Sequence, residues 1–140
     1  MDVCSVARWL DAIESLGVKD MSVCCFLELE DPVCQRMRQE FQKVSEELSR
    51  YTNMVLVEEI DFSLDIVEKL LEKDSRVSIS SLPAFMIFFK GKPMVIQRVG
   101  YQEDWLINGP LTASQLTNLV RYSLEFLNAN EHTEVLPCDI

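Results

Sequence analysis

LELEDPVCQRM, residues Leu27 to Met37, is the stretch on which the reading of the fold turns. An apolar run of strand length, SVCCFLEL, closes at Leu29, and a helical pattern opens beyond Asp31-Pro32. Aspartate is among the best helix N-caps, proline is favoured at the first helical position, and a negative charge there suits the helix dipole. A short, nearly continuous apolar run is the pattern of a strand covered on both faces in a parallel or mixed sheet, which makes Cys24 and Cys25 small core residues. After the junction, Val33, Met37, Phe41, Val44 and Leu48 trace one face of a helix, while Gln35, Arg36, Gln39 and Lys43 trace the other.

Upstream, VARWLDAIESL places Val6, Trp9, Leu10, Ile13 and Leu16 at helical spacing before Gly17 stops the pattern. Downstream, MVLVEEI reads as a second buried strand, and SLDIVEKLLEK as a crossover helix with Leu64, Val67, Leu70 and Leu71 as its apolar positions. The order then changes. LPAFMIFF and MVIQRV flank Lys90-Gly91-Lys92 and predict an antiparallel hairpin. Thr112 with Gln115 has the spacing of a capping box and opens a last helix that buries Leu116, Leu119, Val120, Leu124 and Leu127. A βαβ unit followed by a ββα unit is an α/β arrangement, the thioredoxin layout: a central mixed sheet flanked by helices, here with an extra N-terminal helix. Residues 1–128 form the expected domain and residues 129–140 a short C-terminal tail. Pro83 stands just before the first hairpin strand, where that layout carries a cis-proline facing the helix begun at Pro32.

At 140 residues the chain is long enough to bury a core without disulfide or metal staples. Thirteen basic against twenty-three acidic side chains give a net charge of −10, which repels phosphate backbones and anionic membrane surfaces. Direct nucleic-acid binding and membrane association are therefore not expected. Met1 to Leu10 lacks the basic start and apolar run of a signal peptide, and no apolar run is long enough to span a bilayer, so an intracellular protein is expected. Five cysteines (Cys4, Cys24, Cys25, Cys34 and Cys138) form an odd set without a CxxC pair, which suits a reducing compartment. A structural zinc site needs about four convergent ligands, and the single histidine, His132, lies in the polar tail, so no metal is expected.

Thioredoxin-type exchange needs a thiolate at a helix N-terminus and a second thiol three residues on. Counting back from Cys34 puts Asp31 in the nucleophile's place, and a carboxylate cannot attack and leave a disulfide. Asp31, Pro32, Val33 and Cys34 thus stand as a motif at a vestigial redox position, with no catalytic residue assigned and Cys34 at the resolving position. Glu28, Glu30 and Asp31 also form an acidic cluster at the strand end, where close carboxylates shift one another's pKa. No positioned base or oxyanion donor accompanies them in the sequence.

EDPVC, the helix QRMRQEFQKVSEEL after it, LPAFMIFF with KGKPMVI, and the terminal LPCDI together resemble the Dim family of thioredoxin-like spliceosomal proteins. That family includes the small thioredoxin-fold component of the tri-snRNP and its Dim-like paralogue, and EDPVC with Leu82-Pro83 looks closest to the paralogue. The resemblance runs from Trp9 to the tail. It implies pre-mRNA splicing in the nucleus through contacts with spliceosomal proteins of the tri-snRNP, as monomer or homodimer, without redox chemistry or a cofactor. The alternative is a single-thiol thioredoxin-like redox protein using Cys34, or the Cys24-Cys25 pair. Val135, Leu136, Pro137 and Ile140 are apolar positions in an otherwise polar tail. They either pack back on the domain or contact a partner.

Overall fold

The computed structural model describes residues 1–12, 19–77 and 79–138. Ile13, Leu16 and Gly17 of the opening helical pattern, and Ile140 of the tail, lie outside them. The elements run β1 (Asp2–Cys4), α1 (Val6–Ala12), β2 (Met21–Glu28), α2 (Pro32–Leu48), β3 (Asn53–Glu59), α3 (Leu64–Lys73), β4 (Ala84–Phe89), β5 (Lys92–Pro93), β6 (Val95–Gln97), β7 (Leu106–Asn108), α4 (Ala113–Ala129) and β8 (Val135–Pro137). Six strands make a mixed sheet in the order β1-β3-β2-β4-β5, with β7 also on β4. β2 lies parallel to β3 and antiparallel to β4, so the two-sided apolar runs at the centre are the ones the sequence marks as buried.

Strand side chains alternate between faces, and this divides the core in two. Val23, Cys25 and Leu27 join Met37, Phe41, Leu116 and Val120 under α2 and α4. Cys24 and Phe26 join Val6, Trp9 and Leu70 under α1 and α3. Trp9 anchors the second layer: its ring meets Phe26 edge-on at 4.9 Å, and its indole N–H donates to Cys24 Sγ at 3.4 Å. The β1 strand before it pairs parallel with β3, an edge addition too short for any period-2 signal in the sequence.

Helix faces follow the expected stripes with two corrections. Met37, Phe41, Val44 and Leu48 of α2 are buried, and both bonds of the Thr112–Gln115 capping box form at α4. In α3, however, Leu64 and Leu71 face solvent, Leu64 at 73% exposure; Leu70 is fully buried, and Ile66 packs against the same core layer. A short surface helix needs only a narrow stripe, and it turned on Ile66 and Leu70, one i,i+4 pair. In α4, Leu124 is half-buried while Ser123 is buried.

The expected hairpin is real only at its turn. Lys90 (φ 51°) and Gly91 (φ 79°) form a two-residue loop with positive φ at both positions, which matches the right-handed twist of the strands. Phe89 then pairs with Lys92 and Phe88 with Pro93. Pro93 brings no N–H to the ladder, and after Met94 donates to the Ile87 carbonyl (2.8 Å) the chain leaves β4. β7 takes the vacated edge, with Met86, Phe85 and Ala84 opposite Leu106, Ile107 and Asn108. The rest of the expected second strand, β6, pairs instead in parallel with β8 of the tail, Ile96 opposite Leu136. Leu136 is fully buried in the α2/α4 layer, Val135 and Pro137 are half-buried, and Cys138 donates its backbone N–H to Gln97 O at 2.8 Å.

Candidate functional site

The strand–helix junction is built from backbone satisfaction. Asp31 sits in an extended conformation (φ −78°, ψ 126°) and its Oδ1 accepts the Cys34 backbone N–H at 2.9 Å, while its carbonyl accepts from Gln35 N at 2.9 Å. Pro32 fills the first helical turn, where no donor is lost. This is an N-cap, in the position where a dithiol enzyme has its attacking sulfur.

The other carboxylates around it are also committed. Glu28 Oε2 accepts from Phe62 N (3.3 Å) and Glu59 Oε1 from Val6 N (2.8 Å). Glu58 pairs with Arg38, Nε to Oε2 3.0 Å. These acids tie α1, α2 and the β3–α3 loop to the ends of β2 and β3. Glu30 alone among Glu28, Glu30 and Asp31 is exposed.

Cys34 lies in the first turn of α2 at 1% exposure. Burial pushes its thiol pKa up; a backbone hydrogen bond at Glu28 lowers it in part, and the Asp31 carboxylate adds to the rise. Cys25, beneath it on the same face, is pushed well above the ordinary thiol value by burial first and by Cys34 second. Cys24, on the opposite face, is pushed up to about 12 by burial. Neighbours in one strand point to opposite sides of the sheet, so Cys24 and Cys25 cannot act as a vicinal pair. Among the described residues Cys4, Cys24, Cys25 and Cys34 are free thiols, and no group of three or more His, Cys, Asp or Glu side chains converges to hold a metal.

The Leu82–Pro83 peptide bond is cis, and the Pro83 carbonyl accepts from Gly109 N at 2.8 Å, tying β7 to the loop. Between this loop and the junction lies a groove of about 290 Å³ lined by Glu28, Asp31, Phe62, Val67, Ile79, Ser80, Ser81 and Leu82. Asp31 reaches it; Cys34 does not. The structure therefore brings Asp31 and Pro83 to one end of the sheet and places Val135, Leu136 and Pro137 elsewhere, on β6. The sequence reading missed Phe62, Ile79 and Leu82 as groove walls. Position next to Pro83 was the available signal for Leu82; the others come from loops that show no pattern.

No protein-family model and no curated protein matches this chain. Solved structures do. A thioredoxin from Plasmodium falciparum is 17% identical and superposes with a TM-score of 0.56, covering 86% of this chain and 97% of its own. Chloroplastic thioredoxin z is 18% identical with a TM-score of 0.58, covering 90% of this chain and 96% of its own. Deadhead, the germline-specific thioredoxin of Drosophila melanogaster, is 17% identical at 0.55, covering 86% and 96%. The chain has a thioredoxin-like fold.

Proposed function

We propose that this chain is a non-catalytic thioredoxin-fold adaptor in pre-mRNA splicing, acting in the nucleus through contacts with spliceosomal proteins of the tri-snRNP. The observation that carries the non-catalytic part is Asp31. It occupies the place of the attacking thiol, spends its carboxylate on the Cys34 amide at 2.9 Å, and leaves the remaining thiol buried. Exchange requires a thiolate that a disulfide can reach. Cys34 has neither property: its pKa is raised by burial and it does not line the groove. The splicing part is supported by the Dim-like motifs EDPVC, LPAFMIFF and LPCDI in one thioredoxin-like chain. The competing single-thiol reading is favoured only by the position of Cys34 in the first turn of α2.

Two measurements test the proposal. The purified chain, given a model disulfide with a thioredoxin reductase or glutathione system, is expected to show no turnover above background. Turnover that disappears in Cys34→Ser would replace the adaptor with a monothiol enzyme. Affinity purification from nuclear extract is expected to recover tri-snRNP proteins and their small RNAs. Their absence, with the chain folded and soluble, would remove the splicing assignment.

A further inference from the structure

A groove larger than the one at the junction lies elsewhere on the domain. A trough of about 610 Å³ runs between β6, the tail and α4, lined by Arg98, Val99, Leu119, Tyr122 and Pro137 among others. Its rim is built by a turn. Tyr101 N donates to Arg98 O at 3.1 Å, and Gly100 at φ +83° takes the positive value that the third residue of a type II turn requires. This turn holds Val99 out at 97% exposure and folds the Arg98 guanidinium over the Tyr101 ring, 3.9 Å from its centroid. On the opposite wall Tyr122 is 43% exposed and stacks on Phe126.

Two features mark the trough as unfinished. A large apolar side chain standing almost fully in water beside an exposed tyrosine is the composition of a contact surface, not of a solvated face. Among the described residues Arg98 is the only charged one of the lining, its Nε is buried without a hydrogen-bond partner, and it makes no ion pair. A buried donor left unmade is costly, and a planar guanidinium matches a carboxylate. The rest of the described lining is uncharged: apolar surface, the neutral amides of Gln97 and Asn118, and the side chains of Tyr122 and Cys138. A net charge of −10 disfavours a polyanion over a single carboxylate.

We propose that this trough binds a peptide segment of a partner protein in which one Asp or Glu stands next to a large apolar residue, the carboxylate on Arg98 and the apolar side chain between Val99, Leu119 and Tyr122. The inference goes beyond the adaptor reading and does not depend on splicing, because it is measured on the purified chain alone.

Displayed random short peptides are panned on the whole folded chain, and the enriched peptides are then synthesised and titrated. They are expected to pair an acidic with a large apolar residue and to weaken about tenfold or more against Arg98→Gln, the loss typical of a charge-assisted bond. Tyr122→Ser and Val99→Asp, both at exposed positions, are expected to weaken them as well, whereas Glu28→Gln in the other groove leaves binding unchanged. Circular dichroism confirms that each variant is folded. No enrichment, enrichment of basic peptides, or equal affinity for Arg98→Gln overturns the proposal. So does a concentration-dependent dimer abolished by Val99→Asp, which would give the trough to a second copy. Binding seen only after removal of Asp139 and Ile140 would give it to the chain's own end and overturns it equally.

Discussion

The junction at residues 28–34 and the trough between residues 97–99 and the tail are opposites in how their polar groups are spent. At the junction Asp31 caps α2, Glu28 and Glu59 hold backbone amides, and Glu58 holds Arg38. At the trough a buried Arg98 Nε has no partner and Val99 has no cover. The residues that look most like an active site are the ones already consumed in holding the fold together. Position within a familiar layout therefore says less about chemistry than whether a group still has bonding capacity to offer.

The largest effect that could break this comparison is alkaline. Cys24, Cys25 and Cys34 all titrate above the ordinary thiol value of 9.0 in the folded chain, Cys24 at about 12, because burial disfavours the thiolate. Folded pKa values above the unfolded ones mean that the folded state holds its protons longer. The stability they contribute is fully present below pH 9.0 and is lost as pH rises from there towards about 12. Denaturation midpoints are expected to be insensitive to these thiols at neutral pH and to fall above pH 9.0, and Cys24→Ala is expected to retain stability there that the parent loses. An unchanged alkaline slope in that variant would mean that Cys24 is not sealed, and the case against thiol chemistry would weaken with it.

Next in size is the tail. Leu136 is fully buried although it lies in a segment the sequence reads as peripheral, so Leu136→Ala is expected to cost about 3 kcal/mol in chemical denaturation, as core leucines do. A loss under about 0.5 kcal/mol, the scale of surface substitutions, would show that β8 is a detachable strap and not part of the domain. The smallest effect belongs to the junction: Asp31→Ala is expected to cost about 1 kcal/mol, the usual loss for an N-cap, without abolishing folding. If it cost as much as Leu136→Ala, the junction would be holding more than one helix end. If it cost nothing, the carboxylate would be free for another role, and the contrast between the two regions would collapse.

The elements legible in the sequence are those whose signal is local. β2, β3 and β4 are apolar runs of the right length, α2 and α4 carry a full stripe and a cap, and Asp31-Pro32 announces its helix start through chemistry confined to a few residues. Tertiary structure alone decided the rest. β1, β7 and β8 are three residues each, too short to show alternation, and they exist because an edge of another strand was open to them. Whether residues 94–97 continued along β4 or crossed to the tail was a competition between two edges. Pro93 weakened one edge and Leu136 supplied the other. The 610 Å³ trough follows from that choice, since its walls come from β6, α4 and the tail, which meet only after the chain has folded. Periodicity reports which face of an element is apolar; it carries no information about which distant segment will cover it, because that is settled by hydrogen-bond pairing and packing between parts of the chain that have no local signal in common.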